Sequence, residues 1–172
     1  PLGDTVAVDK TIAKADRLCR WLLGDPNREL VFISTCQGIP GYVDDSEIAV
    51  RIVERLPGEL RNRCRINRSR LAPRDLIRAL GSCDAFIGMR LHACILSMIG
   101  GTPAMGLAYE QKTPDIFQQL GLESCQVPFH SDSTAWLHCA ERLLADAARL
   151  HARLPAALDQ ACRNSQLNLD AV

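Results

Sequence analysis

Lysine is nearly absent. Three residues, Lys10, Lys14 and Lys112, stand in a chain of 172. Aromatic residues make up 5% of the chain, so an aromatic platform for stacking single-stranded nucleic acid is missing. No run of about 18 apolar residues occurs, so no helix is expected to span a membrane. The opening Pro1-Leu2-Gly3-Asp4 lacks Met, a basic segment and an apolar segment. No signal peptide is expected from it, and the chain reads as a fragment or a processed form. Eight cysteines occur without one C-x-x-C pair, a spacing wrong for zinc. Most lie inside apolar segments, where a reduced thiol packs as a small hydrophobe, and a cytoplasmic location follows. The Walker pattern G-x-x-x-x-G-K-[ST] is absent, as are internal repeats and low-complexity tracts.

What is present is an ordinary globular composition, 47% hydrophobic and 23% charged. Such a chain is long enough to fold without disulfides. Charge balances at 20 against 20 but is unevenly spread. Residues 51–90 carry ten Arg against four acids, and each flank carries eight acids against five bases. The densest stretch runs Arg61, Arg63, Arg65, Arg68, Arg70, Arg74 and Arg78. It reads either as an anion-binding face or as a solvated surface in an Arg-preferring protein. The second reading is favoured, and nucleic acid is not an expected partner.

Helical periodicity covers residues 8–24, with Val8, Ile12, Ala15, Cys19 and Leu22 on one stripe. Leu30-Val31-Phe32-Ile33-Ser34 is a continuous apolar run, the mark of a buried parallel strand. Asp44 and Glu47 frame a capping box before the helix that carries Ile48, Ile52 and Leu56. Residues 63–67 form a weaker strand. A helix starts at Pro73 and ends at Leu80-Gly81. Ala85-Phe86-Ile87 is a strand, and Leu91–Ile99 a buried helix that Gly100-Gly101 stops. Pro103–Ala108 is a strand, and Thr113-Pro114 opens a helix that ends at Gly121. Cys125-Gln126-Val127 is a fifth strand. Ser131-Asp132-Ser133 caps a helix running to Leu150, and Pro155 opens a last one to Cys162. Strands alternate with helices, so the fold class is α/β: one Rossmann-like parallel sheet with helices on both faces. A single domain spans residues 1–172, with carboxyl-terminal helices at about 133–162.

Ligands of such sheets bind beyond the carboxyl ends of strands. Three loops lie there. Gly88-Met89-Arg90-Leu91-His92 joins a strand to a helix start, where free N–H groups favour an anion. Arg90 adds a planar fork for carboxylate or phosphate, and His92 can move a proton near neutral pH. In Tyr109-Glu110-Gln111-Lys112, Lys112 is a second cation and Glu110 could bind a sugar or ribose hydroxyl. Thr35-Cys36-Gln37-Gly38 has small residues that let a ligand approach the backbone at Gln37 and Gly38. His130, His138 and His151 are scattered and read as surface histidines. Cys36 and Cys94 read as packed rather than reactive thiols.

These residues, taken in order, resemble the polysaccharide pyruvyl transferase family. The resemblance runs from Val31-Phe32-Ile33 and Asp44-Asp45 through Asp84–Ala93. It continues through Gly101-Thr102-Pro103 and Tyr109–Pro114 to Leu120-Gly121-Leu122. Its most specific parts are Gly-x-Arg-Leu-His-Ala and the Gly-x-Pro…Tyr-x-x-Lys that follows. The resemblance implies two Rossmann-like domains facing a cleft, as in GT-B glycosyltransferases. The chain is similar to the carboxyl-terminal, donor-binding half alone, with the acceptor-binding half missing. It implies transfer from phosphoenolpyruvate to two hydroxyls of a saccharide or lipid-linked saccharide. The product is a cyclic pyruvate ketal of a cell-envelope polysaccharide.

On this resemblance Arg90, Leu91 and His92 mark the donor site. Arg90 and His92 are the expected catalytic residues. Tyr109, Glu110, Lys112, Gln37 and Gly38 are expected to join Arg90 and Leu91 in binding substrate. Phosphoenolpyruvate is the donor substrate, and no cofactor or metal is expected. The setting is cytoplasmic, at the inner face of the membrane through the substrate. Two other readings remain open at this point. One is the nucleotide-sugar half of a GT-B glycosyltransferase or epimerase; the other is a non-catalytic module of the same fold.

Overall fold

The computed structural model describes residues 5–36 and 44–170, the side chains of 5, 6, 165 and 167–170 excepted. The architecture is mixed α/β with every paired strand parallel. The chain divides into two compact units, Pro1–Arg70 and Leu71–Val172. Alternation leads one to expect one sheet, but the described strands form two, β1-β2 and β3-β4-β5. Periodicity identifies a strand without naming its neighbour, which is why the pairing was not legible.

In the first unit α1 (Thr5–Leu22) precedes β1 (Leu30–Ile33). There follow α2 (Asp45–Arg55), the single turn α3 (Gly58–Arg61) and β2 (Cys64–Asn67). Val8, Ile12 and Cys19 of α1 meet Ile52 and Leu56, with Leu30, Phe32 and Cys64 packed against them. The expected capping Asp44 accepts from Ser46 N at 2.8 Å and ties α2 to its entry loop. β1 is not buried on both faces. Period two sends Val31 away from Leu30 and Phe32, opposite Arg65, and Val31 is 47% exposed. Arg65 is itself exposed and pairs with Glu29 at 3.1 Å, so this face of the ladder is polar.

Most of the Arg-rich stretch is exposed, as the solvated-surface reading expects, but Arg61 and Arg63 bond backbone of the first unit. Arg63 donates to the carbonyls of Asp25 at 2.7 Å and Arg28 at 3.0 Å, and also to that of Leu23. Arg61 donates to those of Glu54 at 2.9 Å and Leu56 at 3.1 Å. These guanidinium groups bond carbonyls at the end of α2 and in the turn that follows α1.

The second unit places β4 (Ala104–Ala108) between β3 (Phe86–Gly88) and β5 (Gln126–Pro128). Its helices are α4 (Pro73–Gly81), α5 (Leu91–Ile99), α6 (Lys112–Gln119), α7 (Ser133–Ala145) and α8 (Ala147–Asp170). Leu80, Cys94, Met98, Met105, Phe117, Trp136 and Leu143 fill the core. Gly101 and Gly121 take positive φ, 91° and 63°, just past α5 and α6. At each, the next residue's N–H reaches back to close a Schellman turn: Thr102 to Ser97 O at 3.0 Å, Leu122 to Phe117 O at 2.8 Å.

Two boundaries differ from expectation. The helix opening at Ser133 stops at Ala145 rather than Leu150. Asp146 ends α7 through its N–H to Arg142 O and starts α8 through its carbonyl, which accepts from Leu150 N. Pro155 lies inside α8 instead of opening a helix. It is exposed, so the carbonyl one turn earlier can meet water, while Leu150 and Leu154 anchor the helix in the core.

Candidate functional site

The site is built on one edge of the second unit's sheet. Gly88 pairs with Gly106 in a parallel register, so β3 and β4 send their carboxyl ends to the same edge. The β3 exit is two residues long, Met89 and Arg90, before α5 begins. The β4 exit is Tyr109, Glu110 and Gln111, before α6 begins at Lys112. Short exits of this kind leave little freedom in where their side chains stand. Phe129 N donates to Ala108 O at 2.7 Å, holding the end of β5 beside that of β4.

Glycine sets the spacing beneath both exits. A Cβ on Gly106 would stand 2.9 Å from the Phe117 ring and 3.0 Å from Thr113 Cγ2. Only glycine lets α6 lie this close on β4. A Cβ on Gly88 would stand 2.4 Å from the Phe86 ring and 3.4 Å from Cys94 Sγ. Neither role was legible as such in the sequence; a glycine at the end of one strand segment and another inside the next was the available signal.

The two helix starts share an uncapped N-terminus but differ in charge, since α6 carries Asp115 in its first turn, where Oδ1 accepts from Gln111 Nε2 at 3.1 Å. Arg90 at the α5 N-cap has extended backbone (φ −87°, ψ 117°) and makes no side-chain cap bond. No acid occupies the first turn of α5. Gln111 at the α6 N-cap makes no side-chain cap bond either. Asp44 caps α2, and Asp132 caps α7 through Ala135 N at 2.8 Å, whereas α3 and α4 also lack a side-chain cap. Leaving the α5 start open keeps backbone donors and the positive end of the helix dipole available to an anion.

Arg90 and Leu91 are half-buried; His92, Glu110 and Lys112 are exposed, and Tyr109 is 43% exposed. Thus Arg90, Tyr109 and Glu110 lie in exits on one sheet edge, and Leu91, His92 and Lys112 in the first turns of the helices that follow. Gln37 and Gly38 lie outside the described residues. Of their loop, Thr35 holds Asp45 Oδ2 through its N–H and its hydroxyl, each at 3.2 Å. Cys94 is fully buried, and burial pushes its thiol up to about 12, so it is no nucleophile at neutral pH. Among the described residues no cluster of three or more His, Cys, Asp or Glu could hold a metal ion. Among them, too, no helix is long and apolar enough to cross a membrane.

The comparison with known families covers this stretch. The family model described as polysaccharide pyruvyl transferase matches residues 10–111. The match includes Arg90, His92, Tyr109 and Glu110 and stops one residue before Lys112. The amylovoran biosynthesis protein AmsJ of Erwinia amylovora is 35% identical over 95 residues. That alignment covers 55% of this chain and 22% of AmsJ, so the chain corresponds to a minor part of that relative's length. No solved structure matches the chain. With a match over more than half of its residues, the chain belongs to the polysaccharide pyruvyl transferase family.

Proposed function

We propose that this chain supplies the donor-binding wall of a pyruvyl transferase, with phosphoenolpyruvate held at the carboxyl edge of the β3-β4-β5 sheet. The observation that carries the reading is the open start of α5, with Arg90 at its cap position and no acid in its first turn. Phosphoenolpyruvate presents a carboxylate and a phosphate a few atoms apart. A guanidinium fork, a helix N-terminus and a second cation suit that pair of anions. Arg90 binds the carboxylate or the phosphate, and Lys112 assists. Leu91 and Tyr109 border the donor, and Glu110 bonds a hydroxyl.

His92 is the general acid in this scheme. A proton goes to the methylene carbon, which becomes a methyl group, and the neighbouring carbon becomes electrophilic. One saccharide hydroxyl adds there and gives up its proton. The phosphate leaves with the C–O bonding pair, and His92 can assist that departure instead. The second hydroxyl closes the ring and releases its proton to phosphate or solvent. The products are the pyruvate ketal and inorganic phosphate; no redox partner takes part.

In the whole protein this wall faces an acceptor-binding half across a cleft, in the manner of a GT-B enzyme. The acceptor is a saccharide or lipid-linked saccharide of the cell envelope, met in the cytoplasm at the inner membrane face.

Calorimetric titration with phosphoenolpyruvate at low salt tests the binding claim. Arg90→Ala should weaken binding about tenfold or more, the cost of losing hydrogen bonds to a charged group. Binding unaffected by Arg90→Ala would reject the site. Saturable binding of UDP in place of phosphoenolpyruvate would transfer the site to nucleotide-sugar chemistry, with Glu110 on the ribose. In the complete enzyme His92→Ala should lower the transfer rate at least about tenfold. An unchanged rate would remove His92 from the mechanism.

A further inference from the structure

The connection that presents Arg90 is held at both ends by one residue, through its backbone at one end and its thiol at the other. Cys94, in the second turn of α5, donates its N–H to Arg90 O at 3.1 Å, the first bond of the helix. Its Sγ lies 3.6 Å from Gly88 O, the last carbonyl of β3, within reach of a thiol hydrogen bond. Between these two anchors stand Met89 and Arg90 alone. Gly88 is also packed closely on its Cβ face, where the Phe86 ring and the Cys94 sulfur both crowd the position a side chain would take.

We propose that Cys94 is a positioning residue for Arg90: its buried S–H holds the Gly88 carbonyl and so sets the orientation of the turn from which the guanidinium reaches the donor. The inference rests on the donor-site reading and adds a residue to it. The Cys94 side chain is fully excluded from solvent, so no water competes for the Gly88 carbonyl from that side. Burial keeps the thiol protonated, so it remains a donor throughout the neutral range. Rotation of the peptide after Gly88 would swing the Arg90 side chain across the open α5 start. A two-pronged fork tolerates little such error before one of its bonds is lost. The Cys94 thiol opposes that rotation through its bond to Gly88 O, and the Phe86 ring crowds the same glycine.

The test compares Cys94→Ala, Cys94→Val and Cys94→Ser with Arg90→Ala in the purified chain. Alanine removes the donor and leaves a gap, valine removes it without leaving one, and serine keeps a donor. Hydrogen exchange at the amides of residues 89–92 reads the turn directly, and phosphoenolpyruvate affinity reads its consequence. Alanine and valine should speed exchange across residues 89–92 more than along β4. They should weaken phosphoenolpyruvate binding by about threefold to tenfold, the worth of one modest hydrogen bond. Serine should return both to within about twofold of the unmodified chain. A lower melting temperature with exchange and affinity unchanged would overturn the inference and leave Cys94 as packing only. Failure of Arg90→Ala to weaken binding strikes the donor-site reading instead, and the exchange result still decides the contact between Cys94 and Gly88.

Discussion

The eight thiols of this chain divide by burial. Burial pushes Cys19 and Cys94 from an ordinary 9.0 up to about 12, and Cys139 to about 11. Cys64, Cys83 and Cys125 are raised by the same cause, whereas Cys162 is exposed. Iodoacetamide at pH 8 should therefore label Cys162 first and reach Cys19, Cys94 and Cys139 only after denaturation. Fast labelling of Cys94 in the folded chain would contradict its placement. The same shifts carry a pH dependence. Below pH 9 the thiols are protonated in both folded and unfolded chains, and their contribution to stability is complete. Between about 9 and 12 the unfolded chain loses protons that the folded one keeps, so stability falls as pH rises. Melting temperatures recorded across that window should decline steadily. Packing of the cysteines was legible from their apolar neighbours. The work of Arg61 and Arg63 was not, because a guanidinium on a remote carbonyl leaves no mark in local spacing.

Helix ends were the elements most readily read. Asp44, Asp132, Gly101 and Gly121 act where short-range chemistry places them, as caps and stops within a few residues of the turn they serve. Pro155 misled because its effect depends on which way the ring faces, a tertiary fact. The approach of α4 and α5 is tertiary in the same sense. A Cβ on Gly81 would stand 2.7 Å from Gly100 O, and one on Gly100 would stand 2.8 Å from Ile77 O. Backbone meets backbone there, so no side chain can turn aside. Gly81→Ala should cost about 1–3 kcal/mol in chemical denaturation, as overpacking does. Gly58→Ala, where a Cβ meets nothing within 4 Å, should be neutral or stabilise by up to about 1 kcal/mol. Equal effects of the two would show that α4 and α5 do not meet as closely as the glycines imply.

At the scale of the molecule, the sequence disclosed the α/β alternation and the family. The division into two units and two sheets emerged only with the structure, because strand neighbours are chosen by long-range packing. For the candidate site, Arg90, His92 and Lys112 stood out as polar residues just past apolar strands. The parts that shape their setting, Gly88, Gly106 and the Cys94 thiol, carry no charge and resemble ordinary core residues in sequence. The central claim is that phosphoenolpyruvate binds where β3 and β4 hand over to α5 and α6. Amide NMR of the isotopically labelled chain, titrated with phosphoenolpyruvate, tests it most directly. The account predicts saturable shifts concentrated at residues 88–94 and 109–113, absent in Arg90→Ala. Shifts centred instead on the Arg61–Arg78 segment, with those two loops silent, would contradict it.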